Sequence, residues 1–342
     1  MKHKTFIRNL ILATFALLLC SAATIYYLFF TPAFHTQKKS YIYIRPNDSF
    51  ECVCTQIDPH TKTSFATAFK LLAKVKGYDQ HLRSGRYEIK DGEHVFALMH
   101  RLATRQQSPV NLIVPSVRTT QKLAAALSTR IMLDSATIAS ALTDSTTCTR
   151  LGYNTENIVT LFIPDTYQVY WDINLEQFLQ RMKKEHTRFW NEKRQNQAKE
   201  IGLTPNEVTI LASIVDEETA KNDEKPIVAG LYLNRLKKGM LLQADPTVKF
   251  ACGDFGLRRI LHKHLTVDSP YNTYLHEGLP PAPIRIPSIS GIESVLNHAK
   301  HNYLYMCAKE DFSGRHNFAV TLREHQNNAL RYQRELNRRN IK

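Results

Sequence analysis

Three consecutive carboxylates, Asp216, Glu217 and Glu218, close the apolar run Leu211-Ala212-Ser213-Ile214-Val215. A carboxyl group set among apolar neighbours has the makings of a general acid. Desolvation disfavours its charged form and lifts its pKa toward neutrality, where it can give up a proton and later recover one. The element carrying the three side chains decides which of them occupies such a place. Thr204-Pro205-Asn206-Glu207 supplies a helix start, with a threonine N-cap, proline at the first helical position and a glutamate completing a capping box. At about 100° per residue, Val208, Leu211, Ile214 and Val215 share one stripe, and Glu218 falls in its middle. Asp216 points to the opposite side and Glu217 lies on the flank. Glu218 is therefore the candidate acid; the competing reading is a helix whose last turn simply becomes polar.

Other residue types with chemical potential form no recognisable site. His316, Asn317 and His325, or His262 with His264, are of metal-ligating type, yet no set has zinc spacing, so neither a metal nor a cofactor is expected. Cys20 lies in an apolar N-terminal stretch, and Cys52 and Cys54 sit two apart in a strand-like segment, where they would share a face and make awkward partners. Cys148, Cys252 and Cys307 follow no metal or redox spacing. An odd number of cysteines beyond the apolar stretch argues against a disulfide framework, leaving one bridge open.

With 342 residues the chain is long enough for two or three domains. Its formal charge of +14 suits an anionic partner: nucleic acid, anionic lipid or an anionic cell-wall polymer. The basic residues are scattered rather than gathered into an aromatic-laced stripe, which argues against nucleic acid. Residues 10–30 carry no charge, enough to span a hydrocarbon core. Lys2, Lys4 and Arg8 flank them on one side and Tyr26 and Tyr27 mark the far end. The positive-inside rule then leaves residues 1–9 as a cytoplasmic tail, makes 10–30 a single membrane anchor and sends the remainder across. A cleaved signal peptide is the alternative, but the run is long for one and no A-x-A site closes it.

A linker from 31 to 40 leads to a small module. Residues 41–44 alternate as a strand, 45–48 make a turn, 64–74 a helix and 84–89 a second strand; Asp91-Gly92 turns into a helix over 95–102. Further on, 111–115 reads as a strand, 119–127 and 134–150 as helical, 161–167 as an aromatic strand or turn, and 175–199 as one long charged helix. After the helix from Thr204 comes another ending at Gly239. Residues 242–248 form a short polar insertion and 271–284 a rigid proline-rich loop. Ser290-Gly291-Ile292-Glu293 reads as a second capping box, 303–308 and 316–320 as paired strands, and Thr321 to Glu324 as the cap of a last helix. The predicted fold class is α+β, with residues 31–105 as a small module, 106–203 as a connecting region and 204–342 as a catalytic domain.

The ordered motifs I-L-A-S-I-V-x-x-E-T-A, N-R-L, L-Q-x-D-P-T-V, Y-N-T-Y, G-L-P-P-x-P-I and H-N-F-x-x-T-x-x-E-H resemble the YceG-like family of endolytic murein transglycosylases. The resemblance is strong over 204–332 and fainter over 31–105, where the "G-x-Y-x-I, turn, helix" order is similar to that family's LysM-like region. It implies a lytic transglycosylase that cuts peptidoglycan strands internally between N-acetylmuramic acid and N-acetylglucosamine, leaves 1,6-anhydro-muramic ends and so ends nascent strand elongation. It also implies cell-wall synthases as partners and a catalytic domain outside the inner membrane. The family's catalytic glutamate falls on Glu218. One carboxylate then suffices where ordinary glycosidases use two, because the attacking group is the substrate's own 6-hydroxyl.

Around it, Gln243 and Asp245 either bind sugar groups or stabilise a turn before Pro246, and Asp245 is also eligible as a second carboxylate. Tyr271, Asn272 and Thr273 suit sugar stacking and amide recognition, or an Asx-turn. Asn234 and Arg235 close a helix, where Arg235 either meets a substrate carboxylate or the helix dipole. Two stretches depart from the family pattern: Ala282-Pro283-Ile284-Arg285-Ile286-Pro287-Ser288, where relatives carry glycine and an Asn-Pro-Gly turn, and Pro115-Ser116-Val117 in place of Pro-Glu-Gly. A catalytically silent, membrane-anchored peptidoglycan-binding scaffold is the main competing function, and a metal-dependent wall hydrolase a third.

Overall fold

The computed structural model describes residues 2–257 and 260–339. Met1 of the predicted tail, and residues 258–259 and 340–342 of the predicted catalytic domain, lie outside the described residues, as do the side chains of Lys2 and His3. The fold is mixed, with helices dominating three short two-stranded sheets among the described residues. The chain divides into two compact units: 1–111 with 130–132 and 168–173, and 112–129 with 133–167 and 174–342.

The first unit begins with α1 (Lys2–Phe30), of which Lys4–Phe30 is long and apolar enough to cross a membrane. Its last turn is fastened to the small module by aromatic contacts, as the Tyr27 ring meets Phe65 at 5.4 Å and Phe30 stacks on Phe96 at 5.4 Å. Strands β1 (Ser40–Ile44) and β2 (Gly85–Ile89) pair antiparallel with Ile42 opposite Tyr87. Helices α2 (Phe50–Ile57), α3 (Thr63–Val75) and α4 (Val95–Ala103) supply the rest of a core of Ile42, Ile44, Phe69, Tyr87, Leu98 and Met99. The strand expected around Cys52 and Cys54 is thus helix α2. Ser49 caps it by accepting from the Cys52 N–H, and helical spacing turns Cys54 into the core while Cys52 stays exposed. All six cysteines are free thiols.

Strand β3 (Val110–Ile113) pairs with β4 (Thr166–Val169). Between them run α5 (Thr120–Ser128), α6 (Ser135–Thr143) and α7 (Ser145–Leu151), each started by a Thr or Asp N-cap. The expected long helix over 175–199 is two, α8 (Leu175–Phe189) and α9 (Glu192–Glu200), because Trp190 turns inward and Asn191 caps a new start at the Arg194 N–H.

Helix α10 (Pro205–Glu218) is the axis of the second unit. Its capping box is as predicted: the Thr204 side chain accepts from the Glu207 N–H, and Glu207 accepts in return from the Thr204 N–H at 2.7 Å. Every residue from Val208 to Val215 is buried, so this helix is enclosed all round rather than along one stripe. Helices α11 (Lys225–Lys237), α12 (Asp245–Ala251) and α14 (Ile289–Leu296) pack against it, with the short α13 (His262–Leu265) beyond α12. Two expectations are corrected here. Residues 242–248 are no simple insertion, since Asp245-Pro246 opens α12 with proline in its first turn. The cap of α14 is Ser288, not Ser290: the Ser288 side chain accepts from the Gly291 N–H and leaves Glu293 outside any box. Strands β5 (Tyr305–Ala308) and β6 (His316–Ala319) pair antiparallel, and the Thr321–Glu324 capping box opens α15 (Leu322–Arg338) as predicted.

Candidate active site

The three carboxylates that end α10 meet three different environments. Asp216 turns into the protein, where Lys225 Nζ stands 2.8 Å away with both side chains nearly excluded from solvent. The Ser288 backbone N–H and hydroxyl also donate to it, so Asp216 lies at the start of α14, where a negative charge suits the helix dipole. The approach is so close that a Cβ on Gly291 would come within 2.6 Å of Asp216 Oδ1, which makes glycine obligatory there. Glu217 receives two guanidiniums, Arg118 Nε at 2.8 Å and Arg285 Nη1 at 3.0 Å. Both carboxylates are thereby committed to fixed ion pairs.

Glu218 makes no ion pair among the described residues, although the charge of Lys249 acts on it from a distance. Its one hydrogen bond comes from a neutral group, the Tyr232 hydroxyl of α11, which donates to Oε1 at 2.6 Å. Burial pushes this carboxyl up from 4.5 to about 7; the Tyr232 hydrogen bond pulls against that rise and the negative charge of Asp245 adds to it. Such a group is protonated in a large fraction of molecules at neutral pH, the state a general acid needs. It borders a cavity of about 290 Å³ whose wall also includes Arg235, Gln243, Asp245, Tyr274 and His316.

The loop before α12 shapes this cavity at a cost in backbone strain. Gln243 has φ of 51°, a left-handed conformation that opposes a side chain by about 1–2 kcal/mol. Thr273 holds it there: its carbonyl accepts from the Gln243 N–H at 3.0 Å, and its hydroxyl accepts from the Ala244 N–H at 3.0 Å and pairs with the Thr247 hydroxyl at 2.8 Å. Asp245, next along, accepts from the Tyr274 hydroxyl at 2.7 Å. Arg235 is buried, with Nε donating to the Leu304 carbonyl at 2.6 Å and Nη1 to the Leu242 carbonyl at 2.8 Å and to Gln243 Oε1 at 3.2 Å. It is a cation held only by neutral acceptors beside the cavity, with no carboxylate partner among the described residues.

The candidates read from sequence therefore separate. Glu218, Gln243, Asp245 and Arg235 converge on one cavity. Asn234 instead donates its amide to the carbonyls of His301 and Tyr303 at 2.8 and 3.1 Å. Asn272, fully buried, donates to the carbonyls of Leu265 and Val267 and accepts from the Tyr274 N–H, which is the Asx-turn alternative. Thr273 is equally enclosed, and Tyr271 lies away from this cavity with its ring 4.7 Å from Phe250. Sequence reading passed over Tyr232, Tyr274 and Glu224. Glu224 is buried and tied to the cavity wall through His316: the His316 N–H donates to it at 2.9 Å and His316 Nδ1 lies 3.3 Å away, while the Thr219 hydroxyl donates at 3.2 Å. Only Tyr274 had a visible signal, as the last residue of the Y-N-T-Y motif.

Comparison with known proteins gives the chain its family. The YceG-like family matches residues 42–331. An endolytic murein transglycosylase of Bacillus subtilis is 29% identical over 281 residues, covering 78% of this chain and 77% of that protein. One from Streptococcus pneumoniae is 34% identical over 138 residues, 39% of this chain but only 25% of the pneumococcal protein. The crystal structure of a yceG-like protein from Listeria monocytogenes superposes with a TM-score of 0.55 at 25% identity, covering 85% of this chain and 99% of that one. With the family matched over most of its length, this chain belongs to the YceG-like family.

Proposed function

We propose that this chain is an endolytic lytic transglycosylase of peptidoglycan in which Glu218 serves first as acid and then as base. Family membership and relatives named endolytic murein transglycosylase support the reaction class. One observation carries the residue: of the three carboxylates ending α10, Glu218 alone borders the cavity and has a neutral partner, and burial there pushes it up to about 7.

The chemistry follows from that state. Protonated Glu218 gives its proton to the glycosidic oxygen as the bond to the muramic C1 breaks, and the leaving N-acetylglucosamine departs with a free hydroxyl. Positive charge developing at C1 is favoured by the nearby anion Asp245. The muramic 6-hydroxyl then bonds to C1, closing the 1,6-anhydro ring, and its proton passes to Glu218, which returns to its starting form. No water enters, so no second carboxylate is needed to activate one. The Tyr232 hydroxyl stabilises the transient carboxylate, since hydrogen bonds to a charged acceptor are about twice as strong as those to a neutral one. Gln243 and Arg235 are suited to hold sugar amide and acyl oxygens beside the bond.

Around this centre, α1 serves as a single membrane anchor with a cytoplasmic N-terminus, and residues 204–342 act as the catalytic domain on the outer side of the inner membrane. Residues 31–105 make a LysM-like glycan-binding module and 106–203 the connection, with cell-wall synthases as neighbours. Support comes from the length and apolarity of α1 and from the family resemblance. Mass analysis of glycan products from the full-length protein in detergent micelles tests the chemistry: 1,6-anhydro-muramic ends are expected, and reducing ends would show hydrolysis instead, with Asp245 as the second carboxylate.

A further inference from the structure

On the Glu217 side of α10 the chain builds a second concave site that the reaction above leaves without a role. Arg118, just before α5, and Arg285, in the proline-rich loop, share the single carboxylate of Glu217, so one positive charge of the trio stays uncompensated. Both guanidiniums border a cavity of about 200 Å³ whose wall includes Gln121, Glu156 and Tyr271. A narrower space of about 40 Å³, lined by Pro246 and Lys249, shares Arg118 and Phe250 with it. Pro246 directly follows Asp245 of the catalytic cavity, so α12 borders all three spaces.

The wall chemistry is mixed in a specific way. Arg118 and Arg285 supply cations against Glu217, while Glu156 is exposed and makes no ion pair among the described residues. Tyr271 packed on Phe250 at 4.7 Å adds an apolar surface. A strand stripped of its stems keeps a lactyl carboxylate beside each muramic ring but has no cation and nothing that reaches beyond the sugar. The peptide stems that branch from muramic acid supply both: each carries carboxylates and, on its diamino residue, an ammonium. An endolytic enzyme must also accommodate stems on both sides of the bond it cuts.

We propose that this second cavity binds the peptide stem of a muramoyl residue next to the cleaved bond, with a stem carboxylate on Arg118 and Arg285 and its ammonium toward Glu156. Guanidinium favours this role over ammonium because it carries five N–H donors, so Arg118, with Nε and Nη2 on Glu217, still offers Nη1 to a second carboxylate. The proposal rests on the peptidoglycan reading above, and makes the enzyme selective for stem-bearing glycan.

The test compares kcat/KM of the full-length protein on uncross-linked strands with their stems and on the same strands stripped by an amidase. The wild type is expected to favour stem-bearing strands by about tenfold, the worth of one charge-assisted contact. Gln121→Glu places an anion at the exposed mouth without touching the Glu217 pairs. It is expected to remove most of that preference through KM, and Arg118→Gln to lower it further. Equal rates on the two substrates, or variants that slow both in the same proportion, overturn the proposal. Should the wild type cleave neither strand, the transglycosylase reading fails first. Calorimetry of a disaccharide-pentapeptide on the Glu218→Gln protein then decides the site alone: weaker binding after Gln121→Glu upholds it, and unchanged binding overturns it.

Discussion

Replacing Tyr232 with phenylalanine is expected to extend activity to higher pH. The Tyr232 hydroxyl donates to Glu218 Oε1 at 2.6 Å and acts against the burial that lifts this carboxyl to about 7. A hydrogen bond to a charged acceptor contributes about 1.5–3 kcal/mol. At ~1.4 kcal/mol per pH unit, its loss raises the Glu218 pKa by about one to two units. The ring is kept, so packing around the buried residue changes little. The pH profile of kcat/KM reads the effect, because its basic limb marks loss of the proton from the free enzyme's acid. Wild-type kcat/KM is expected to fall above about pH 7, and that of Tyr232→Phe to fall at least one unit higher. A basic limb that stays in place or moves to lower pH would refute Glu218 as the group that must be protonated.

Asp245→Asn is expected to shift the same limb the other way, to lower pH, because the Asp245 charge opposes ionisation of Glu218; parallel pH profiles check it. Stability should carry the same signature. A carboxyl raised from 4.5 to about 7 on folding contributes stability that is fully present below 4.5 and lost as the pH climbs through 7. Denaturant midpoints of the wild type should therefore fall across that window more steeply than those of Glu218→Gln. Lys225→Met leaves Asp216 buried without its cation and is expected to cost about 3–5 kcal/mol, read from denaturant unfolding; a change below about 1 kcal/mol would place that pair in solvent.

Much of this arrangement was legible locally. Thr204 and Glu207 announced the start of α10 because both halves of a capping box lie within four residues, and Thr321 with Glu324 did the same for α15. Glu218 was singled out by helical geometry, yet the stripe was not what distinguishes it, since residues 208–215 are buried on every side. The distinction lies in which carboxylates find cations. Arg118 and Arg285 reach Glu217 from 99 and 68 residues away, separations at which one sequence carries no signal. Tyr232 was hidden for the same reason, as an aromatic among apolar neighbours on the next helix. The polar motif around Asn272 and Thr273 is as compatible with recognition as with loop building, and only tertiary contacts reveal their bonds to backbone. At Trp190, inward packing outweighed a helical charge pattern that reads as continuous.

The most direct measurement counts 1,6-anhydro-muramic ends released from uncross-linked strands by full-length wild-type and Glu218→Gln proteins in matched micelles, with circular dichroism melts run on both. The wild type should produce such ends steadily, and Glu218→Gln should fall by at least about a hundredfold while keeping its fold. Undiminished release by a folded Glu218→Gln protein would contradict the account and move the acid to another carboxylate of the cavity.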